Sequence, residues 1–385
     1  MFAKNPILSG AGVCLHITAL PGEYGIGELG NNAKRFILNL EAIGMSVWQV
    51  LPLGPTGYGD SPYQLLSTFA GNELLLDIDT IFQSGWLRVD EFEELKDFPH
   101  DHVDFARLIP AKMKVLHAAA GRFRDSAAQA QLDEYHAFVA ECDELWLHDY
   151  ACFRVLKNRF EQRPWTEWSA EFRLRDPAAL ATLVVEAADA IDDFKVLQFW
   201  FHKQWAELRS FARKHSVRIL GDLPFYIAFD SADAWARPEL LKLDENLQPT
   251  EVAGCPPDYY SEDGQLWGHP VYDWSAHAAE NYAWWVERIR HALTQADTLR
   301  LDHFKGFESY WSVPAGETVR SVESSTGELS VLLVSDGTGL PRRIRVRPPS
   351  LFHAQAMPQM MRGARLDDLL PTAALLHLVS AECDR

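Results

Sequence analysis

Hydrophobic residues near the start of the chain follow two periodicities in turn, which predict a strand, a helix and a second strand. Residues 12–17 (GVCLHI) form a short apolar run that is typical of a buried strand. Over 31–43, apolar residues such as Phe36 and Leu40 recur at helical spacing. The run at 46–53 (SVWQVLPL) is again apolar and strand-like. This order predicts a parallel sheet with crossover helices, an α/β fold.

Further along, the pattern changes to long helices and then returns to strands. Over 85–215, apolar residues recur at helical spacing with few strand signals, so we predict an inserted helical subdomain. Strand patterns resume at 217–227 and 297–304, with a Trp-rich helix predicted over 281–293. Four strands of the parallel sheet are therefore expected.

Polar residues stand where the predicted strands end, and in a parallel α/β sheet these ends share one rim where ligands bind. They are Tyr58, Asp60, Ser61 and Tyr63 in the loop after the second strand, Asp222 on the third strand, and Arg300, Asp302 and His303 on the fourth. Arg300 and Asp302 share a face because side chains alternate along a strand. A guanidinium beside a carboxylate favours its ionised form, which a nucleophile needs. Two alternatives stay open: an ion pair that closes the sheet end, and an Asp222 that only terminates its strand.

The segment at 253–274 combines tyrosines, tryptophans and acids with glycine and proline. An aromatic ring stacks on the apolar face of a sugar while carboxylates and amides bind its hydroxyls, so this loop is a candidate carbohydrate site. A packed surface loop is the alternative.

Charge and cysteine content exclude several kinds of binding partner and cofactor for this protein. With 36 Lys+Arg against 54 Asp+Glu, the net charge is -18, which disfavours nucleic acid and anionic membrane as partners and favours a neutral or cationic ligand. The five cysteines show no C-x-x-C pair and no metal-ligand spacing, so we expect neither a disulfide framework nor a bound metal. The amino terminus lacks a signal-peptide pattern, and a cytoplasmic location is predicted.

Several sequence blocks resemble those of the 4-α-glucanotransferases of glycoside hydrolase family 77. In family order they are LHITALPGEYGIGELG, WQVLPLGPTGYGDSPYQ, DYACFRVLKNRF with RPWTEW, RILGDLPFYIAFDSADAWARPELLKLDE, VAGCPPDYYSEDGQLWGHPVYDW and LRLDHFKGFESYWSVPAGE. The resemblance implies a (β/α)8 TIM barrel with helical insertions. It also implies action on α-1,4-glucans and maltooligosaccharides, in the cytoplasm and without a cofactor.

The resemblance assigns roles to single residues. Asp302 matches the catalytic nucleophile and Arg300 its partner. The positions expected to bind sugar are Tyr63, Ser61, Asp222, Asp258, Gln265, Trp267 and His303. The implied mechanism is retaining, with a covalent glycosyl-enzyme resolved by an acceptor 4-hydroxyl instead of water. The loop around Trp267 is the candidate lid that excludes water.

Beyond Glu317 the sequence departs from this family pattern. The A-E-D-L-G block that carries the family acid/base Glu and the H-D-N block with a third Asp are both absent, and residues 318–385 contain eight Arg but no Lys, Trp or Tyr. We therefore predict a barrel whose carboxyl-terminal half is truncated, with loss of turnover. A change of reading frame in the gene would explain the altered composition, and family-like sequence in another frame would be its sign.

These observations predict four segments, namely the first barrel strands with a sugar-binding loop (1–84), a helical subdomain (85–215), the strands with the nucleophile and the Trp-bearing loop (216–317), and a poorly ordered tail (318–385). Two other functions stay open for this chain. One is a non-catalytic glucan-binding protein, which would bind maltooligosaccharide without forming products. The other is an α-glucan hydrolase, which would release glucose without lengthening chains.

Overall fold

The computed structural model describes residues 10–257 and 264–314, except the side chain of residue 58, and the backbone of three strands within 316–347. Contacts divide the chain into two units. The first comprises Met1–Gln248 and Tyr272–Ser309, and the second comprises Pro249–Val271 and Tyr310–Arg385. The division of the sequence into four segments stays a prediction.

The elements of the described residues are as follows. The α-helices are α1 (Asn31–Ala42), α2 (Ile78–Gln83), α3 (Val89–Phe92), α4 (Phe105–Ser126), α5 (Gln129–Cys142), α6 (His148–Arg159), α7 (Ala170–Arg173), α8 (Pro177–Glu186), α9 (Ala188–Lys214), α10 (Ala232–Ala236), α11 (Trp274–Ala279) and α12 (Ala283–Gln295). The strands are β1 (Gly12–Cys14), β2 (Val47–Gln49), β3 (Arg218–Leu223), β4 (Glu251–Cys255), β5 (Gln265–Pro270), β6 (Thr298–Leu301), β7 (Trp311–Pro314), β8 (Gly316–Ser324), β9 (Gly327–Ser335) and β10 (Pro341–Arg347).

The predicted parallel sheet lies in the first unit. Its order among the described residues is β1-β2-β3-β6, and each neighbouring pair is parallel. Trp48, at the centre of β2, is completely buried, and its indole Nε1 donates a hydrogen bond of 2.8 Å to the Leu15 carbonyl. The strand–helix–strand pattern of the sequence is thus confirmed, with four strands as expected.

Helices fill the chain between β2 and β3, as the helical periodicity of 85–215 predicts. The longest is α9, which buries Trp205, Leu208 and Ala212 at intervals of three or four residues, the spacing of a core-facing stripe. The Trp205 indole Nε1 donates to the Gln295 carbonyl at the end of α12 over 2.9 Å. Within the predicted helical region, a π-helical turn at Asp143–Leu147 stands between α5 and α6.

The site-bearing strands are shorter than the sequence predicts, for local reasons. Pro224 follows β3 directly, and its missing N–H cannot continue the ladder. After β6, His303 adopts a left-handed backbone with a φ of 46°, which a strand cannot accommodate, and a 3-10 turn follows at Phe304–Phe307.

In the second unit, parts of the segment predicted as a loop at 253–274 form strands. β4 and β5 form an antiparallel pair there, and β7 pairs with the other edge of β4 to give the order β5-β4-β7. Three more strands, β8 to β10, form an antiparallel sheet in the order β10-β9-β8. Their pairing is antiparallel, unlike that of the strands in the first unit.

Candidate active site

Four of the predicted site residues form a continuous hydrogen-bonded row at the carboxyl rim of the parallel sheet. Asp222 on β3 lies opposite Arg300 on β6 in the strand register. Arg300 Nη1 donates to both carboxylate oxygens of Asp222, at 2.7 and 2.8 Å, and its Nη2 donates to Asp302 Oδ1. At the other end, the Tyr63 hydroxyl donates to Asp222 Oδ2 over 2.8 Å.

The main chain fixes the position of Asp302. Its backbone N–H donates to the Leu223 carbonyl over 3.0 Å, so the β3–β6 ladder extends one step beyond the end of β6. Because Arg300 lies two residues earlier on the same strand, the two side chains point to the same face. Asp302 is therefore held by the sheet on its backbone side and by Arg300 on its carboxylate side.

The two carboxylates differ in access. The Asp222 side chain is 0% exposed, whereas the Asp302 side chain is 34% exposed. Burial raises the pKa of Asp222, opposed by the hydrogen bonds from Tyr63 and Arg300. Burial together with the hydrogen bond to Asp222 raises the pKa of Tyr63 to about 12, so the phenol stays a donor at neutral pH. Asp222 therefore fixes the Tyr63 and Arg300 side chains, whereas Asp302 is accessible to a ligand.

Arg300 carries the positive charge of the row. Burial alone would lower the pKa of this guanidinium, but the hydrogen bonds to Asp222 and the charges of Asp222 and Asp302 outweigh it, and the pKa is raised. Two carboxylates and one guanidinium give the row a net charge of about -1 when all three are ionised. A row with net negative charge stabilises positive charge that develops on a bound ligand.

His303 follows Asp302 in the left-handed conformation described above. The centre of its ring lies 5.7 Å from the centre of the Tyr226 ring, with 29° between the two ring planes. It lies 5.9 Å from the centre of the Phe225 ring. Burial lowers the pKa of His303, which favours the neutral imidazole. Non-glycine residues with a positive φ cluster at functional sites, and this one is adjacent to the proposed nucleophile.

The loop that carries Tyr63 is organised by short-range hydrogen bonds. The Ser61 hydroxyl accepts from the Tyr63 backbone N–H at 3.3 Å, and the Ser61 carbonyl accepts from the Gln64 N–H at 3.0 Å. Asp60 has a positive φ of 52° in the preceding turn. Ser61 therefore shapes the loop that carries Tyr63.

The remaining predicted sugar-binding residues belong to the second unit. Gln265 and Trp267 both lie on β5, and the Trp267 indole Nε1 donates to Gln265 Oε1 over 2.9 Å. They are two residues apart and share a face of the strand. Asp258 lies outside the described residues.

Sequence reasoning missed a buried arginine behind this site. Arg288 on α12 is only 1% exposed, and its guanidinium donates to the Pro224 and Phe225 carbonyls directly after β3. The available signal was an arginine on the apolar face of a Trp-rich amphipathic helix, since Trp284 and Trp285 precede it by four and three residues.

Among the described residues, no group of three or more His, Cys, Asp or Glu side chains could hold a metal ion. None of the helices described has the length and apolar character needed to span a bilayer. Among the described residues, Cys14, Cys142, Cys152 and Cys255 are not joined in disulfides.

A parallel sheet with crossover helices and a carboxylate–arginine row at its carboxyl rim defines an α/β protein with its candidate site at the strand ends. Comparison with known proteins then places the chain more narrowly. Residues 15–337 match the model of glycoside hydrolase family 77, described as 4-alpha-glucanotransferase. The chain belongs to this family.

Individual relatives agree with the family model. A 4-alpha-glucanotransferase of Clostridium butyricum is 42% identical over 306 residues, which are 79% of this chain and 62% of the relative. One from Thermus thermophilus is 42% identical over 304 residues, 79% of this chain and 60% of the relative. The chain thus spans about three fifths of the length of these curated relatives.

Solved structures support the fold class. The amylomaltase of Streptococcus agalactiae, solved in complex with acarbose, is 38% identical with a TM-score of 0.74, covering 79% of this chain and 61% of that one. The predicted α/β barrel class is confirmed by this likeness. One expectation needs correction, because the family match continues to residue 337, past Glu317 where the recognisable blocks end.

Proposed function

We propose that this chain carries the nucleophile side of a 4-α-glucanotransferase active site, with Asp302 as the nucleophile. The observation that carries the proposal is the bridging of Asp222 and Asp302 by Arg300 at the sheet rim, in a chain of this family. The assignment of Asp302 rather than Asp222 rests on access. Asp222 is fully enclosed with both carboxylate oxygens bonded, whereas a third of the Asp302 side chain is open to a ligand.

In the proposed first step, an Asp302 oxygen attacks the anomeric carbon of an α-1,4-glucan. The bond from that carbon to the glycosidic oxygen breaks, and the leaving oxygen takes a proton from a general acid. Arg300 neutralises part of the carboxylate charge and fixes its direction. Asp222 and Tyr63 in turn fix Arg300, because they hold its other side.

In the second step, the 4-hydroxyl of an acceptor glucan attacks the anomeric carbon, displaces Asp302 and passes its proton to the general acid that was deprotonated in the first step. This second inversion at the anomeric carbon restores the α-configuration. The proposed substrates are α-1,4-glucans and maltooligosaccharides. Support comes from the net negative charge, which suits neutral ligands, and from the acarbose complex of the related amylomaltase. The predicted cytoplasmic location is kept as part of this proposal.

A reagent that does not require the general acid tests the nucleophile directly. Fluoride leaves a sugar without protonation, so 5-fluoro-α-D-glucopyranosyl fluoride should react with Asp302 even where acid catalysis is lacking. The full chain is incubated with the reagent, and the covalent adduct is measured by intact mass and peptide mapping. We expect one glucosyl adduct, located on Asp302.

Matched variants make the result specific. Asp302→Asn should form no adduct, while Asp125→Asn, the same change on the exposed face of α4, should react like the parent chain. An adduct on another carboxylate, or unchanged labelling of Asp302→Asn, would overturn the assignment. Binding of maltotetraose with no adduct at all would favour the glucan-binding alternative.

A further inference from the structure

Arg288 is a buried cation with two hydrogen bonds to main-chain carbonyls and two to side-chain hydroxyls, those of Thr68 and Tyr272. Its Nη2 donates to the Pro224 carbonyl over 2.6 Å, and its Nη1 donates to the Phe225 carbonyl over 2.9 Å. The guanidinium also lies 4.7 Å from the Trp285 ring centre. An arginine fork presents several donors in fixed directions, so it can hold two successive carbonyls at once. These carbonyls follow Asp222 by two and three residues.

Phe225 links this clamp to the segment behind the nucleophile. Its carbonyl accepts a second hydrogen bond, from the Tyr272 hydroxyl at 2.7 Å. Its ring lies 4.9 Å from the Phe307 ring and 5.9 Å from the His303 ring. The backbone of Phe225 is thus held by Arg288 and Tyr272, while its ring supports the residues after Asp302.

The contact between Phe225 and this segment is close enough to require a glycine. A Cβ atom on Gly306 would lie 2.6 Å from Cε1 and 2.8 Å from Cδ1 of the Phe225 ring, closer than real Cβ contacts. The glycine therefore lets the 304–307 turn lie directly on the ring. If the Phe225 ring moves, the 304–307 turn must move with it, because close packing leaves no space between them.

Arg288 also reaches the loop that carries Tyr63. Its Nε donates to the Thr68 hydroxyl over 2.7 Å, and the Thr68 backbone N–H donates to Asp233 Oδ2 over 2.8 Å. One side chain therefore contacts the loops after β2 and β3 directly and the turn after β6 through Phe225. These are the segments that supply Tyr63, Asp222 and Asp302.

We propose that Arg288 is a positioning residue, which sets the nucleophile segment against the carboxylate row through the Phe225 backbone and ring. Its described hydrogen bonds go to Thr68, Pro224, Phe225 and Tyr272 rather than to the carboxylate row. The labelling experiment below rests on the proposed function of Asp302, whereas a second measurement does not.

The first measurement is the rate of Asp302 labelling by the glucosyl fluoride in Arg288→Met and Arg288→Lys, at a temperature where both variants are folded. Small misplacements of reacting groups cost up to about 100-fold in rate, so we expect a loss of about 10- to 100-fold in Arg288→Met. Arg288→Lys should keep one carbonyl contact and recover part of the rate. The control is Arg290→Met on the same helix, whose side chain is 63% exposed and which should label normally.

The second measurement reads the geometry without any reaction. The imidazole of His303, assigned by comparison with His303→Gln, is titrated by NMR in each variant. Since burial lowers the pKa of His303, release of its support should move this pKa back toward the ordinary value in Arg288→Met. A role limited to global stability would leave the His303 titration of the folded protein unchanged.

If Arg288→Met does not fold, two substitutions in the 225–307 contact test the same inference. Gly306→Ala should slow labelling and shift the His303 titration, and the added substitution Phe225→Leu, which removes the colliding ring atoms, should restore both. Unchanged His303 titration in Arg288→Met, or in Gly306→Ala, would overturn the inference. Absence of labelling in the parent chain would overturn the proposed function alone, since the titration still decides the role of Arg288.

Discussion

At the scale of single residues, Arg300 connects the two carboxylates of the row. It makes two hydrogen bonds to a fully buried Asp222 and one to a partly exposed Asp302. A buried carboxylate needs a hydrogen-bonded partner, so this contact also makes the burial of Asp222 tolerable. A lysine carries a single ammonium group and cannot reproduce the forked geometry.

We therefore expect Arg300→Lys to label at Asp302 about 100-fold more slowly with the glucosyl fluoride, because a hydrogen bond to a charged group is worth about 1.5 to 3 kcal/mol. The labelling rate constant is measured by intact mass. Arg290→Lys, a like change at an exposed position, serves as the control. Equal rates in Arg300→Lys and the parent chain would show that the carboxylate does not depend on this guanidinium.

At the scale of elements, α10 is joined to the Tyr63-bearing loop by a buried carboxylate. The helix is capped by Ser231, whose hydroxyl accepts from the Ala234 N–H at 3.2 Å. Within the helix, Asp233 accepts from the Thr68 N–H at 2.8 Å. Burial raises the pKa of Asp233 from 3.8 to about 6, although the Thr68 hydrogen bond and the charge of Arg288 oppose the shift.

This shift predicts a pH dependence of stability. Because the folded chain binds the Asp233 proton more tightly than the unfolded chain, the stabilisation is full below pH about 4 and is lost as the pH rises through about 6. The loss is at most about 3 kcal/mol. Asp233→Asn keeps an oxygen acceptor for Thr68 but cannot ionise, so its stability should not show this loss.

Urea unfolding of the parent chain and Asp233→Asn between pH 4 and 7 measures the effect as a widening difference in unfolding free energy. Asp125→Asn, an exposed position on α4, should follow the parent chain. Parallel curves for the parent chain and Asp233→Asn would contradict the prediction.

At the scale of the whole molecule, periodicity was enough to predict the parallel sheet and its helices, because these elements bury one face each. It also predicted that Arg300 and Asp302 share a face, since that follows from alternation within one strand. The contact between Tyr63 and Asp222 joins residues far apart in the chain and depends on the register between strands, which no local pattern encodes.

The elements that sequence reasoning missed have weaker local signals. β4 and β5 lie in a segment rich in glycine and proline, where turn residues hide the alternation. Arg288 was missed because a charged residue on a helix is ordinarily exposed, and only its surroundings show that its charge is enclosed.

The chain as a whole should carry out only part of the transferase reaction. Its sequence lacks the A-E-D-L-G block to which the resemblance assigns the acid/base Glu. General acid help is typically worth about 100- to 10,000-fold. We therefore expect labelling by a glucosyl fluoride, which needs no acid, but no conversion of maltotriose.

Chromatography of products after incubation with maltotriose checks this expectation. Glucose together with longer oligosaccharides would show complete transferase activity and contradict it, while glucose without longer chains would indicate hydrolysis. A catalytically complete relative, such as the 4-alpha-glucanotransferase of Thermus thermophilus, provides the positive control.

The hydrogen bond from the Asp302 N–H to the Leu223 carbonyl has a practical consequence. A residue whose backbone forms the last hydrogen bond between two strands cannot keep its orientation once that hydrogen bond breaks. Chemical modification of the Asp302 carboxylate is therefore also a local probe of fraying at the end of this strand pair. Its temperature dependence would report up to which temperature the hydrogen bond persists below global unfolding.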